Sequence, residues 1–103
     1  MIRHIVALRF RAEVDDGQQA ELMAALQALR GPVGGIIDFR HSANVSPEKA
    51  VVHGFGQVFW FDFTDAAARD AYLIHPLHQA VGARLVAACL GGTDGIQVLD
   101  VVV

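Results

Sequence analysis

The segment Gln57-Val58-Phe59-Trp60-Phe61-Asp62-Phe63 is the strongest β-strand signal in the chain. Apolar side chains occupy both faces of this strand, and only Gln57 and Asp62 interrupt them. A strand with two apolar faces has to be covered on both sides, because a face left in water would expose a large hydrophobic area. The segment therefore predicts a sheet that carries a further layer on each side.

Three more strands are predicted around this segment. Side chains fall on two alternating faces over about residues 2–11 and 36–44, and a period of two is typical of strands. Residues 96–103 are predicted to form the last strand. In the first of these strands, His4 shares its face with Val6 and Leu8. Residues 45–54 contain a Ser-Pro-Glu-Lys sequence and a glycine, and they are predicted to form an exposed loop.

Two stretches with an apolar residue every three or four positions predict helices. The first begins after Asp15 and Asp16 and ends at Gly31-Pro32. The second begins after Thr64-Asp65 and covers residues 66–74. Pro76 interrupts it and begins a new helix, because proline disfavours the helical conformation in the preceding residue and suits the first position of a helix.

The resulting order is strand, helix, strand, strand, broken helix, strand. This βαββαβ order predicts an α+β fold of the ferredoxin-like type, in which both helices lie on one face of a four-stranded antiparallel sheet. We expect one domain over residues 1–103. Hydrophobic residues make up 53% of the chain and glycine adds 10 residues, which together is about 63% against the roughly 45–50% typical of soluble domains. This excess predicts a homodimer, in which a second copy covers the open face of the sheet.

The charge and the hydropathy of the sequence argue against two classes of protein, those that bind nucleic acid and those that span a membrane. The net charge is −3 and no basic run occurs, so the chain is not expected to bind nucleic acid. The longest stretch without a polar residue, residues 85–92, is far shorter than the roughly 20 residues that span a bilayer. A single cysteine, Cys89, and an N-terminal segment without a signal-peptide pattern favour the reduced cytoplasm.

Four polar side chains are candidates for chemistry. His4 is the titratable residue on the apolar face of the first strand, and Tyr72, His75 and His78 surround the break at Pro76. An imidazole can accept or donate a proton at cellular pH, and a tyrosine hydroxyl can bond a carbonyl oxygen. The alternative is structural: a histidine on an apolar face is often a satisfied core or helix-end residue, and Tyr72 can pack with its hydroxyl in water.

No metal or cofactor is expected. His75 and His78 lie three residues apart across a proline and supply at most two ligands, whereas a catalytic zinc site usually needs three. The chain has no dinucleotide-binding or phosphate-binding glycine motif and no zinc-protease or serine-hydrolase motif.

Four segments are informative when taken together: IRHIVALRF at residues 2–10, NVS at 44–46, FWFDF at 59–63 and YLIHPLH at 72–78. In this order, along nearly the whole chain, they resemble the stress-responsive A/B barrel (Dabb) domains. The resemblance implies a ferredoxin-like unit that dimerises into an α/β barrel.

The resemblance also implies a site. In a plant member, olivetolic acid cyclase, the histidine matching His78 is the base of an aldol cyclisation, assisted by the tyrosine matching Tyr72, and the histidine matching His4 lies in the pocket. We therefore expect His78 and Tyr72 to be catalytic and His4, His75 and Phe59 to contact a small hydrophobic or aromatic carbonyl compound. Gln57 departs from the cyclase, which has a histidine there.

Two other classes of function remain open. One is a non-catalytic dimeric module that binds a ligand or serves a stress response. The other is the cofactor-free oxygenases with a similar dimeric barrel, although no residue favours oxygen chemistry.

Overall fold

A computed structural model describes residues 1–103. Four strands form the sheet, and the order of elements along the chain is that of a ferredoxin-like fold, as predicted. The strands are β1 (Ile2–Leu8), β2 (Ile36–Ala43), β3 (Gln57–Phe63) and β4 (Ile96–Val102). The helices are α1 (Asp16–Ala28), α2 (Lys49–Val52), α3 (Ala66–Leu73) and α4 (Pro76–Ala88), and a 3-10 turn covers Gly92–Gly95.

The sheet has the order β2-β3-β1-β4, and all three neighbouring pairs are antiparallel. Its covered face carries the phenylalanines of β3 at positions 59, 61 and 63, each at most 2% exposed. His4, Val6 and Leu8 of β1 lie beside them in register and are also buried. Burying this face against α1, α3 and α4 supplies the main favourable free energy of folding.

The helices begin at side chains that bond their first free N–H groups. Asp15 accepts from the N–H of Gln18, whose side chain in turn accepts from the N–H of Asp15. Asp65 caps α3 by accepting from Ala68 N–H at 2.8 Å. At the break before α4, Nδ1 of His75 accepts from the N–H of Leu77 at 3.1 Å, so the chain uses a histidine as the cap of its last helix.

The opposite face of the sheet has no covering layer within this chain. The apolar side chains on it include Ile5, Val58, Trp60 and Leu99, and Leu99 is 55% exposed. Both faces of β3 are therefore apolar, as predicted, but elements of this chain bury only one of them. None of the four helices combines the length and the hydrophobicity that a membrane-spanning helix requires.

The structure differs from the sequence prediction at two places. The segment 45–54, predicted to be a loop, contains the short helix α2, which starts where Lys49 N–H bonds Pro47 O at 2.9 Å. The first strand ends at Leu8 and not at Arg11. Residues 9 and 11 bond instead to the end of α4 and to the 3-10 turn: Arg11 N–H bonds the carbonyl oxygen of Ala88, and Arg9 N–H bonds that of Gly95.

Candidate functional site

A cavity of about 400 Å³ opens between the sheet and the end of the broken helix. This volume lies within the range of small-molecule sites, which is roughly 300–1,000 Å³. Most of the wall is apolar, and the polar side chains on it are His4, Tyr72, His78 and Thr93. Apolar lining residues include Phe59, Leu85 and Val98.

His78 lies in the first turn of α4 and presents one free ring nitrogen. Its Nδ1 lies 3.2 Å from the carbonyl oxygen of Leu73. A carbonyl oxygen only accepts, so Nδ1 carries the proton, and Nε2 of the neutral ring keeps its lone pair and has no partner in the protein. Burial lowers the pKa of His78, and the bond to Leu73 opposes this shift only in part. His78 is therefore a neutral hydrogen-bond acceptor at pH 7.

Tyr72 places its ring beside this imidazole. Its ring centroid is 4.1 Å from that of His78, and it packs against Phe61 at 5.1 Å and Phe63 at 5.0 Å. The residue is 1% exposed, and its hydroxyl forms no hydrogen bond to another residue. Burial raises the pKa of the Tyr72 hydroxyl. It therefore stays protonated near neutral pH and can donate to an oxygen atom of a ligand.

His4 forms the third polar part of the wall. It is 5% exposed, and its ring centroid lies 5.9 Å from that of Tyr72. Its Nδ1 is 2.6 Å from Oδ1 of Asp100, the residue paired with it on β4. The other oxygen of Asp100 accepts from Arg69 at 2.5 Å. Partial burial raises the pKa of Asp100, but the hydrogen bonds from Arg69 and His4 outweigh it, so the pKa lies below its usual range.

The structure brings four of the five predicted site residues together. His4, Phe59, Tyr72 and His78 line the cavity. His75 does not line it, because its side chain turns back to cap α4. Gln57 lies at the far end of β3, opposite Leu8, and is also outside the cavity wall.

Asp100 and Arg69 were not among the residues predicted from the sequence. Asp100 lies on the same face of β4 as Ile96 and Val98. A charged residue on this otherwise apolar face is the one sequence feature that points to Asp100. The pairing of Asp100 with His4 depends on the register of two strands that are distant in sequence, which alternation alone does not define.

No group of three His, Cys, Asp or Glu side chains is placed to hold a metal ion. A second cavity, of about 250 Å³, lies between residues 44–55 and the uncovered face of the sheet. It contains none of the predicted site residues.

Comparison with known proteins supports the family resemblance. Residues 2–103 match the family described as Stress responsive A/B Barrel Domain. A dimeric ferredoxin-like protein of unknown function from Jannaschia sp. CCS1 is 39% identical, with a TM-score of 0.88 over 99% of this chain and 98% of that chain. No protein of curated function is significantly similar in sequence.

Two plant proteins share the fold at lower identity. At3g17210 from Arabidopsis thaliana is 20% identical, with a TM-score of 0.89 over 100% of this chain and 95% of that chain. Hydroxynitrile lyase from Passiflora edulis is 18% identical, with a TM-score of 0.83 over 99% of this chain and 92% of that chain. At these identities the likeness is one of fold.

Proposed function

The chain belongs to the stress responsive A/B barrel domain family, and on this premise we propose that it binds a small hydrophobic or aromatic carbonyl compound in the 400 Å³ cavity and moves a proton of that compound with His78. The observation that carries the proposal is the arrangement of His78. Its Nδ1 proton is held by Leu73 O, its Nε2 has no protein partner, and the Tyr72 ring packs against it at 4.1 Å.

The groups suit removal of a proton from the carbon next to a carbonyl. The lone pair on Nε2 of His78 takes the proton, and the electron pair of the C–H bond moves towards the carbonyl oxygen. The hydroxyl of Tyr72 donates to that oxygen and stabilises the developing negative charge, since burial keeps the hydroxyl protonated. His4, anchored by Asp100, offers a further polar contact to the ligand.

The apolar wall selects the rest of the ligand. Phe59, Leu85 and Val98 surround the polar cluster, and an aromatic or alkyl body would displace water from them. One protein of the same fold is a hydroxynitrile lyase, so this architecture can support an enzyme.

Binding is tested by titrating the labelled protein with 2-indanone and with indane, which lacks the carbonyl, and following amide shifts by NMR. We expect 2-indanone to bind about two- to tenfold more tightly, the range for one hydrogen bond. Tyr72→Phe should remove this preference. His41→Gln, which changes an exposed histidine outside the cavity, should keep it. Equal binding of both compounds by the wild-type protein would contradict the carbonyl site.

The second part of the proposal concerns assembly, and it rests on the uncovered sheet face. We propose that two copies pair through this face, because Val58, Trp60 and Leu99 would otherwise stay in contact with water. The buried carboxylate on this face, Asp62, is neutralised by Arg3 at 2.8 and 3.1 Å, so no unpaired charge opposes association. The Jannaschia protein, 39% identical, is described as dimeric.

Light scattering at micromolar concentration should report twice the mass of one chain. Trp60→Asp should dissociate or unfold the protein, because it buries an unpaired charge in the interface. Gln79→Asp adds the same charge on the exposed surface of α4 and should leave the dimer intact. A monomeric wild-type protein would refute the pairing.

A further inference from the structure

Arg69 lies outside the cavity wall, yet its guanidinium is connected to the wall through a single carboxylate. It is located one turn before Tyr72 on α3 and so lies on the same side of the helix. Its Nη1 donates to Oδ2 of Asp100 at 2.5 Å, and its Nε donates to Asp70 at 2.8 Å. The side chain of Arg69 is 23% exposed, whereas that of Asp70 is 67% exposed. The bond to Asp100 is therefore the more shielded of the two.

The two oxygens of Asp100 have separate partners. Oδ2 accepts from Arg69, and Oδ1 lies 2.6 Å from Nδ1 of His4. Asp100 lies on the edge strand β4, and its side chain is 25% exposed. Without a partner on Oδ2, this carboxylate would be free to turn towards solvent. The guanidinium thus holds the carboxylate in the orientation that His4 needs.

The ring of His4 has no other polar partner. Tyr72 and Phe63 pack edge-on against it at 5.9 and 6.3 Å. Which ring nitrogen carries the proton is set by the hydrogen bond that the ring makes. A carboxylate at Nδ1 requires a proton there, so the nitrogen that remains for a ligand is Nε2.

We propose that Arg69 is a positioning residue for the cavity: by holding Asp100 it keeps the proton of His4 on Nδ1 and leaves Nε2 of His4 as the nitrogen that meets the ligand. His4 and His78 then present the same nitrogen to one ligand, each with Nδ1 bonded to the protein. Contact between a ligand and Nε2 of His4 rests on the proposed function, whereas the position of the proton on Nδ1 does not.

The test is the ring ¹⁵N NMR spectrum of His4 in the full chain at pH 7.5, for the wild type, Arg69→Gln, Arg69→Lys and Asp70→Asn. We expect the wild type to show a proton on Nδ1, hydrogen-bonded to Asp100. Arg69→Gln should give a mixture of both tautomers, and Arg69→Lys should restore much of the wild-type pattern. Asp70→Asn removes the other partner of Arg69 and should change nothing at His4. If Arg69→Gln is unstable, Arg69→Met serves the same purpose.

A parallel titration with 2-indanone connects the ring to binding. Arg69→Gln should bind about two- to tenfold more weakly than Asp70→Asn, the range expected for one hydrogen bond. An Arg69→Gln spectrum identical to that of the wild type would overturn the positioning role. Failure of the wild type to bind 2-indanone, with the His4 spectra as expected, would instead count against the proposed function and leave the role of Arg69 standing.

Discussion

Replacing Tyr72 with Phe separates a functional hydroxyl from a structural one. The change deletes one oxygen atom and keeps the ring that packs against Phe61, Phe63 and His78 at 4.1–5.1 Å. The hydroxyl has no hydrogen bond to another residue, so its removal leaves no protein group unpaired. We therefore expect the free energy of unfolding to change by no more than about 0.5 kcal/mol, since the variant keeps every internal contact of the ring.

In a domain of this size, 1 kcal/mol corresponds to about 4–8 °C in melting temperature. Tyr72→Phe should accordingly melt within roughly 2–4 °C of the wild type, whereas its preference for 2-indanone over indane should be lost. Tyr72→Ala is the matched control, because it removes the packed ring and should cost about 3–5 kcal/mol.

The assay is a pair of thermal melts and ligand titrations on the three proteins. A structural hydroxyl would give the opposite result for Tyr72→Phe: a melting temperature lower by about 4–8 °C or more, with ligand preference unchanged. That outcome would refute the assignment of the hydroxyl to the ligand.

Three further predictions concern pH, the helix cap and a turn. Burial lowers the pKa of His78 in the folded protein, so the unfolded chain binds a proton at this residue more readily. The stability that the neutral ring contributes is therefore complete above the unfolded pKa of about 6.5, and it is lost as the pH falls through the folded pKa. Between pH 7.5 and pH 5 the melting temperature should therefore fall less steeply for His78→Gln than for the wild type. Equal slopes for the two proteins would contradict a lowered pKa of His78. His75→Ala should lower the free energy of unfolding by about 0.5–2 kcal/mol, because it removes the cap of α4. His75→Asn can accept the same hydrogen bond and should recover most of this stability in chemical denaturation. An unchanged free energy of unfolding for His75→Ala would show that the cap is unimportant. Gly35→Ala should lower the free energy of unfolding by at least about 1–3 kcal/mol, because Gly35 has a φ of +84° and a Cβ there would lie 2.5 Å from Cβ of Ala68. As the control, a Cβ at Gly34 would meet nothing within 4 Å, so Gly34→Ala should have the melting temperature of the wild type.

The fold could be predicted from the sequence because its signals are local. The alternation in β1, the doubly apolar β3 and the proline at the helix break each define an element without reference to the rest of the chain. The helix α2 was missed because its four residues are too few for a periodic pattern. The carbonyl oxygens of Pro47 and Glu48 accept the hydrogen bonds that start this helix.

The site could be predicted only in part. His4, Tyr72 and His78 stood out because each places a polar group in apolar surroundings. Their convergence on one cavity depends on how α3 and α4 pack on the sheet, and the anchoring of His4 depends on the register between β1 and β4. His75 shows the limit of the motif: it lies three residues from His78, but its ring is bonded to the backbone of its own helix.

Removal of a proton from a bound carbonyl compound by His78 is measured by deuterium exchange. The protein is incubated with 2-indanone in D₂O at neutral pH, and deuterium at the carbons beside the carbonyl is followed by NMR. We expect exchange faster than in buffer alone, a rate about 10²–10⁴-fold lower in His78→Gln, and an unchanged rate in His41→Gln. Exchange by His78→Gln at the wild-type rate, or no exchange above buffer by the wild type that binds 2-indanone, would contradict this role of His78.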